Sequence, residues 1–197
     1  VAAIQHGRAI FSMASSWHKD EPGLEHSVPM PDVPSPESLR SDKDAYAEIA
    51  KVRPEVKRFA YRFDAIDSRQ VENILMGNTD AHPPYKHTWL KTRDPLPDNP
   101  EVHLCMLAYM SDLDFMSTSM LPHGRSPGGS TDGSFQGASL DHALWFHRAF
   151  RADDWLLFAK SSPSASGARG FVRGQFFNAR GELVATAAQE CLIRVRG

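Results

Sequence analysis

Apolar and polar residues alternate most regularly in residues 139–155, which read SLDHALWFHRAFRADDW. The even positions at the start of this run are Leu140, His142, Leu144 and Phe146. A period of two is typical of a β-strand, and the many aromatic residues suit a pleated sheet. The pattern predicts a central strand, a polar turn at 150–154 and a second strand that starts at Trp155.

The one long helical pattern begins at Glu101 and continues to about Met116. Apolar side chains recur in it at spacings of three and four, at Val102, Cys105, Met106, Tyr109, Leu113 and Met116. Such a stripe predicts an amphipathic helix with this face buried. Extended patterns precede it at 59–66 and 86–93 and follow it from residue 139 onward. The arrangement indicates an α+β fold in which an antiparallel sheet curls around a central helix.

Both ends of the chain carry hairpin patterns. Residues 1–4 and 10–17 are extended runs joined at His6 and Gly7, and residues 168–177 and 182–195 form a closing hairpin. Between these ends, five prolines within residues 18–38 favour a semi-rigid linker, and a short helix follows from Ser41 or Asp42 to Pro54. We expect this helix to lie over the linker. The predicted parts are a hairpin at 1–17, a linker with a helix at 18–58 and the main domain at 59–197.

Composition excludes several classes of partner and location. Of the 197 residues, 41% are hydrophobic and 23% are charged, which is usual for a globular chain. A formal net charge of −2 gives no signal for nucleic acid, and no apolar run reaches the roughly 20 residues of a membrane span. The two cysteines have neither CxxC spacing nor the density of a disulfide scaffold, which favours the cytoplasm. Residues 1–6 lack the pattern of a signal peptide.

Several long segments resemble the acyl-CoA thioesterase II family: LDHALWFHRAFRADDWLLF, ASGARGFVRGQFF, AAQECLIRV and, at the start, VAAIQHGRAIF. Members of that family are double-hotdog proteins, in which two copies of a sheet each wrap around one long helix. The resemblance implies that residues 59–197 form the second hotdog and that the hairpin at 1–17 belongs to the first. Either this chain is a fragment, or another polypeptide supplies the rest of the first hotdog. We expect the hairpin to pair with that missing half on a separate chain or with a symmetry-related copy, and we also expect a homo-oligomer.

Three polar residues stand in patterns that are otherwise apolar. Asp112 falls on the apolar side of the predicted helix, where an unpaired carboxylate costs several kcal/mol. Ser139 opens the central strand but lacks the Gly-x-Ser-x-Gly turn of a serine hydrolase. Gln189 is the one polar member of a face that also contains Leu183, Ala185, Ala187, Cys191 and Ile193. From the residues alone, each has a structural explanation as a partner of backbone groups or a tie between strands.

The resemblance assigns catalysis to the same three residues. YMSDLDF matches the segment that presents the family's catalytic aspartate, which gives Asp112, and AAQE matches its catalytic glutamine, which gives Gln189. Ser139 matches a serine or threonine that helps to hold the attacking water. The implied reaction is hydrolysis of fatty acyl-CoA, with Asp112 as general base and the other two residues orienting the water. It involves no metal and no cofactor.

Other residues are candidates for contact with acyl-CoA. The acyl chain is expected along the apolar surface near Tyr109, Met116 and Phe146. Guanidinium groups pair well with phosphate, which makes three residues candidates for the coenzyme A phosphates, although arginines on an outer strand face are usually just solvated. These three are Arg151, Arg169 and Arg173.

Three residues limit this interpretation. His142 and His147 would point to opposite faces of a regular strand, so they cannot readily share a metal ion. We interpret both as structural, with His142 at most supporting the catalytic groups. Cys191 stands where the family usually has glycine, and its side chain could crowd the water site.

The alternative function is a non-catalytic acyl-CoA-binding module, or the inactive half of a split double-hotdog protein. A hotdog hydratase is disfavoured because its Asp-x-Asn-Pro-x-x-His motif is absent.

Overall fold

The computed structural model describes residues 1–54, 62–74, 78, 80–125 and 135–195. The predicted domain boundary at Phe59 lies outside these residues. The strands are β1 (Ala2–Gln5), β2 (Arg8–Ser12), β3 (Ile66–Gln70), β4 (Tyr85–Thr92), β5 (Phe135–Ser139), β6 (Ala143–Phe146), β7 (Leu156–Ser166), β8 (Arg169–Asn178) and β9 (Leu183–Val195). The helices are α1 (Asp42–Val52), α2 (Arg62–Ala65), α3 (Pro100–Met110) and α4 (Phe115–Met120).

Seven strands form one antiparallel sheet in the order β3-β4-β7-β8-β9-β5, and β6 also pairs with β9. Helices α3 and α4 pack on its inner face, where Leu107, Met110 and Phe115 join the buried core. This arrangement confirms the predicted α+β hotdog fold. Strands β1 and β2 form a separate two-stranded sheet, and His6 and Gly7 turn the chain between them with positive φ angles of 50° and 73°.

The helical segment differs from its prediction in length and in buried face. Asn99 caps α3 by accepting a hydrogen bond from the Glu101 amide over 2.9 Å, and the helix ends at Met110. Asp114 has a positive φ of 57°, a backbone conformation that does not continue a right-handed helix. The buried residues of α3 are His103, Leu107 and Met110. The predicted stripe was wrong in this respect, since Cys105 and Tyr109 are exposed.

Two glycines allow α4 to lie close to β8. A Cβ atom at Gly170 would collide with the side chain of Ser119, and one at Gly174 would collide with the ring of Phe158. The ring of Phe158 stacks on Phe176 with centroids 4.0 Å apart and also contacts Phe115 at 5.4 Å. The absence of a side chain at these two glycines of β8 therefore makes room for helix α4 and for the aromatic rings of the core.

The proline-rich linker covers the outer face of the sheet. The Trp89 indole Nε1 donates to the Pro34 carbonyl over 2.9 Å, and Arg69 donates to the Pro36 carbonyl over 2.7 Å. Met30 and Val33 pack against the cluster that Trp89 forms on this face. The linker is thus part of the fold along residues 30–39.

Helix α1 lies against β3, rather than over the linker as predicted. Ser41 is the N-cap residue of this helix but makes no side-chain capping hydrogen bond, and the first helical residue is Asp42. Its carboxylate is buried and accepts hydrogen bonds from the Ser68 hydroxyl and, over 3.2 Å, from the Gln70 amide. Asp42 therefore joins α1 to the inner side of β3.

Two predicted strands have different bounds. The pattern at 59–66 does not form one strand, because residues 62–65 are helix α2 and β3 begins at Ile66; Tyr61 lies outside the described residues. The run at 139–155 is not a central strand either. It is interrupted after Ser139, and both β5 and β6 pair with β9 at the end of the sheet. The second strand of that run, β7, follows Trp155 as predicted.

Candidate active site

Gln189 lies at the base of a polar cluster on the inner side of β9. Its side chain is 1% exposed, and every polar atom of its amide has a partner. The amide Nε2 donates to Ser139 Oγ over 2.9 Å and to Cys191 Sγ over 3.2 Å. The Oε1 atom lies 2.6 Å from Nδ1 of His142. Ser139 and Gln189, which the sequence singled out 50 residues apart, are therefore in direct contact.

A β-bulge brings His142 to the same side of the sheet as Ser139. Ser139 lies opposite Cys191, and Ala143 lies opposite Ala188. The chain therefore advances four residues from Ser139 to Ala143 while β9 advances three residues between their partners. One extra residue of this kind defines a bulge. Within it, the Leu140 amide donates to the Glu190 carbonyl over 2.9 Å, and the Asp141 carboxylate accepts from the Glu190 amide over 2.7 Å. The Asp141 side chain thus completes the ladder where the backbone is displaced.

The turn between α3 and α4 forms the other wall of the cluster. Ser111 is fully buried, and its Oγ lies 2.8 Å from Nε2 of His142 and 2.8 Å from the Ala108 carbonyl oxygen. The His142 ring also packs edge-on against Phe115, with centroids 5.8 Å apart. Asp112 follows Ser111 directly, and its side chain is exposed rather than on a buried helix face. The predicted position of Asp112 on a continuous helix was therefore wrong, although it borders the cluster.

The pKa of the Cys191 thiol on β9 responds to burial, to Gln189 and to Asp112. Burial raises the pKa of the Cys191 thiol, the hydrogen bond from Gln189 acts in the opposite direction, and the negative charge of Asp112 raises this pKa further. Cys191 is fully buried and takes up one of the two amide protons of Gln189. The thiol therefore occupies a hydrogen-bonding position that a glycine would leave open.

Asp114, two residues after Asp112, is partly buried. Its carboxylate accepts from the Lys86 ammonium over 3.3 Å, with the Lys86 side chain 4% exposed. Asp112 and Asp114 consequently have different surroundings: Asp112 is exposed, whereas Asp114 is partly buried beside Lys86.

The predicted acyl-chain residues lie around the same region. Tyr109 is 51% exposed on α3, one turn before Asp112. Phe146 is 41% exposed on β6 and stacks on Phe150 with centroids 6.2 Å apart. Met116 is partly buried in the first turn of α4. All three are on elements that carry or border the cluster, and their contact with substrate stays a prediction.

The three arginines do not converge on the cluster. Arg151 binds the carboxylates of Asp98 and Asp153 over 2.9 and 3.0 Å. The side-chain hydrogen bond from Arg151 lowers the pKa of Asp153 to about 2. Arg169 pairs with Glu190, and Arg169 and Arg173 are exposed on the face of β8 opposite to Val172, the partner of Gln189. Their binding of phosphate stays a prediction.

Two members of the cluster were not predicted to take part directly. Ser111 carries no pattern that distinguishes it from any serine near the end of a helix. His142 was interpreted as structural because it cannot share a metal ion with His147, and the two rings do have different partners, Gln189 and Thr186. A regular strand would also have placed His142 on the face opposite to Ser139, and the bulge removes that separation. The adjacent Asp141 was the available signal, since an aspartate within an apolar strand can replace a backbone acceptor at an irregularity.

Within the described residues, no group of three or more His, Cys, Asp or Glu side chains is arranged to hold a metal ion. No helix in those residues is long and apolar enough to cross a membrane.

Comparison with known proteins identifies the family of this chain. Acyl-coenzyme A thioesterase 8 of Mus musculus is 36% identical over 205 residues, which cover 100% of this chain and 62% of the mouse protein. Acyl-CoA thioesterase 2 of Haemophilus influenzae is 34% identical, with 98% of this chain and 67% of that protein covered. The chain therefore spans roughly two thirds of the length of these relatives.

Solved structures give the same result. The crystal structure of the acyl-CoA thioesterase II TesB2 from Mycobacterium marinum has a TM-score of 0.78 and 38% identity, and it covers 100% of this chain and 67% of that chain. A hot dog protein from Alicyclobacillus acidocaldarius, with a TM-score of 0.61 and 15% identity, shares the fold. The sequence model of the acyl-CoA thioesterase family matches residues 55–192. This chain belongs to the acyl-CoA thioesterase family.

Proposed function

We propose that this chain hydrolyses fatty acyl-CoA thioesters to a free fatty acid and coenzyme A. The observation that carries the proposal is the hydrogen bond of 2.9 Å from the buried Gln189 amide to Ser139, next to the turn that contains Asp112. An Asp112 carboxylate that turns toward this amide and hydroxyl can share one water molecule with them and deprotonate it. A thioester carbonyl needs no stronger nucleophile than such a water.

In the proposed reaction, the water oxygen attacks the carbonyl carbon and its proton passes to Asp112. The tetrahedral intermediate then breaks its carbon–sulfur bond, and the leaving coenzyme A thiolate takes up the proton from Asp112, which returns the carboxylate to its ionised form. Gln189 and Ser139 fix the position of the water, which contributes through proximity and orientation. The exposed side chains of Tyr109 and Phe146 offer an apolar surface for the acyl chain.

The proposal extends to the assembly of the protein. The hairpin of β1 and β2 exposes Ile4, Ile10 and Phe11 by more than half of their surface. A sheet with exposed apolar residues normally acquires a partner. We propose that it pairs with a first hotdog, or with a second copy of this chain in a homo-oligomer. A cytoplasmic location remains the prediction from the cysteine content.

The experiment measures free thiol released from a long-chain acyl-CoA by the purified chain and its variants. Asp112→Asn removes the proton acceptor with little change of shape, and we expect turnover to fall by about 10²–10⁴-fold. Gln189→Ala should cost less because the base remains, and Ser139→Ala should cost least. Asp154→Asn, at an exposed aspartate outside the cluster, is the charge-matched control. Hydrolysis by Asp112→Asn at the parent rate would contradict the proposed mechanism.

One observation favours the alternative, a chain that binds acyl-CoA without hydrolysing it. Cys191 Sγ accepts an amide proton of Gln189 over 3.2 Å, so the amide is fully engaged within the protein. In that case the parent chain would retain acyl-CoA on equilibrium dialysis and release no thiol. Measurable release that depends on Asp112 decides for the enzyme.

A further inference from the structure

We infer that His142 is the positioning residue that sets the direction of the Gln189 amide, an inference that rests on the proposed function. The Gln189 side chain has two chemically different ends, a carbonyl that accepts and an amide group that donates. The amide group faces Ser139, and the carbonyl oxygen lies 2.6 Å from Nδ1 of His142. The residue that bonds to the carbonyl end therefore decides which end faces Ser139.

Proton positions explain how the ring does this. The Oε1 atom of Gln189 is an acceptor only, so the contact with His142 requires a proton on Nδ1. With that proton in place, the neutral ring has a bare Nε2, which lies 2.8 Å from Ser111 Oγ. The Ser111 hydroxyl has one proton and two acceptors at 2.8 Å, this nitrogen and the Ala108 carbonyl oxygen, so it reaches Nε2 when it turns away from Ala108. A ring with a bare Nδ1 would instead accept from the amide group of Gln189. The carbonyl would then face Ser139, and the amide could no longer donate to the Ser139 hydroxyl that helps to hold the water.

The ring itself is held from three directions. Ser111 contacts Nε2, Gln189 contacts Nδ1, and Phe115 packs edge-on against the ring with centroids 5.8 Å apart. Ser111 and Phe115 flank the turn that presents Asp112, whereas Gln189 belongs to β9. His142 therefore links the element that carries the proposed base to the strand that carries the amide.

A purely structural role fits the burial of His142 poorly. Its side chain is exposed while both of its hydrogen-bond partners are buried, so its removal leaves no sizeable cavity in the core. Loss of the imidazole ring is instead expected to change the orientation of the buried Gln189 amide. A shift of about 1 Å in a positioning group can cost on the order of 10²-fold in rate.

Two isosteric substitutions separate the functions of the two ring nitrogens. In His142→Asn the side-chain amide nitrogen takes the place of Nδ1, so the donor to Gln189 is kept and the contact with Ser111 is lost. In His142→Gln the nitrogen takes the place of Nε2, so the contact with Gln189 is lost. We expect His142→Asn to keep kcat within about threefold of the parent, and His142→Gln and His142→Leu to lose about 10–100-fold with KM nearly unchanged.

His147→Asn is the matched control, because this histidine contacts Thr186 over 2.8 Å, away from the cluster. Melting temperatures of all variants show whether a loss of turnover follows a loss of folded protein. Equal kcat in His142→Asn and His142→Gln, or losses that follow the melting temperature, would overturn the inference. A change confined to KM would also overturn it.

A second measurement does not depend on turnover. Nitrogen-15 NMR of the histidine rings at pH 8 reports which ring nitrogen of His142 carries a proton. A protonated Nδ1 is expected, and in Gln189→Ala this proton should lose its hydrogen bond. A bare Nδ1 would overturn the inference even in an active enzyme. A protonated Nδ1 in a chain that releases no thiol would leave the geometry intact and reject the proposed function instead.

Discussion

Lys160 and Thr88 form a hydrogen bond inside the sheet: the ammonium Nζ donates to the threonine Oγ1 over 3.0 Å. The Lys160 side chain is 2% exposed and lies over the ring of Phe158, with Nζ 4.8 Å from its centroid. Burial lowers the pKa of this lysine to about 7, against the opposing effect of the Asp114 carboxylate. Near neutral pH the core therefore holds a lysine that gives up its proton easily.

We predict that the stability of the chain rises with pH above about 7 because of Lys160. In the unfolded chain the lysine has its ordinary pKa of about 10.4, so between the two values the unfolded state binds more protons. The folded state consequently gains stability across this interval. Lys160→Met should remove the gain, and at pH 6 it should raise the free energy of unfolding by roughly 1–4 kcal/mol.

Urea unfolding at pH 6, 8 and 10 tests this prediction. The difference between the parent and Lys160→Met should shrink as pH rises, while Lys19→Met, at an exposed lysine, should follow the parent at every pH. A difference that stays constant from pH 6 to 10 would show that Lys160 is not the group responsible.

Gly174→Ala should destabilise the chain by about 1–3 kcal/mol, since overpacking a filled core forces neighbouring groups to move. The added Cβ would collide with the ring of Phe158, which is already stacked on Phe176. Gly23→Ala is a suitable control because no atom lies within 4 Å of its added Cβ. Chemical denaturation should show a lower midpoint for Gly174→Ala than for the parent. The midpoint of Gly23→Ala should equal that of the parent within error. Equal midpoints would mean that the core is less tightly packed here than described.

Cys191→Ala should raise turnover several-fold if the chain is the proposed hydrolase. Removing Sγ releases the amide proton of Gln189 that it now binds over 3.2 Å, which becomes available to the water. The bond from Gln189 to Ser139 is kept. Cys105→Ala, at an exposed cysteine on α3, controls for the loss of a thiol. Steady-state thiol release under reducing conditions is the measurement, and a fall in kcat for Cys191→Ala would indicate that the thiol supports the site.

Trp89→Phe should loosen the linker from the outer face of the sheet. The phenyl ring keeps most of the apolar contact but loses the hydrogen bond to the Pro34 carbonyl, which is worth about 1 kcal/mol. Local opening should become about fivefold more frequent, and trypsin cleavage after Arg40 should accelerate accordingly. Trp145→Phe, at a tryptophan 52% exposed on β6, should leave the cleavage rate unchanged. An unchanged rate in Trp89→Phe would show that this bond does not hold the linker.

The sequence predicted features of this fold that depend on regular local patterns. Gln189 stood out because alternation along β9 is regular around it, and its partner Ser139 was found from the family resemblance. Asp114 and the end of α3 could not be predicted, since a positive φ at an aspartate is decided by its contacts in the folded chain. Lys86 and Lys160 were not singled out for a similar reason. A lysine in an extended pattern gives no sign of burial until the partner strands are known.

The bulge after Ser139 means that the site depends on how many residues connect Ser139 to Leu144, as well as on which residues they are. Leu140 and Asp141 contribute backbone and carboxylate contacts to Glu190, and no atom of theirs joins the described cluster around Gln189. Their number nonetheless determines whether an imidazole faces the helices or the opposite side of the sheet. A deletion of one residue here would reverse the orientation of His142 while every residue of the cluster remained in the sequence.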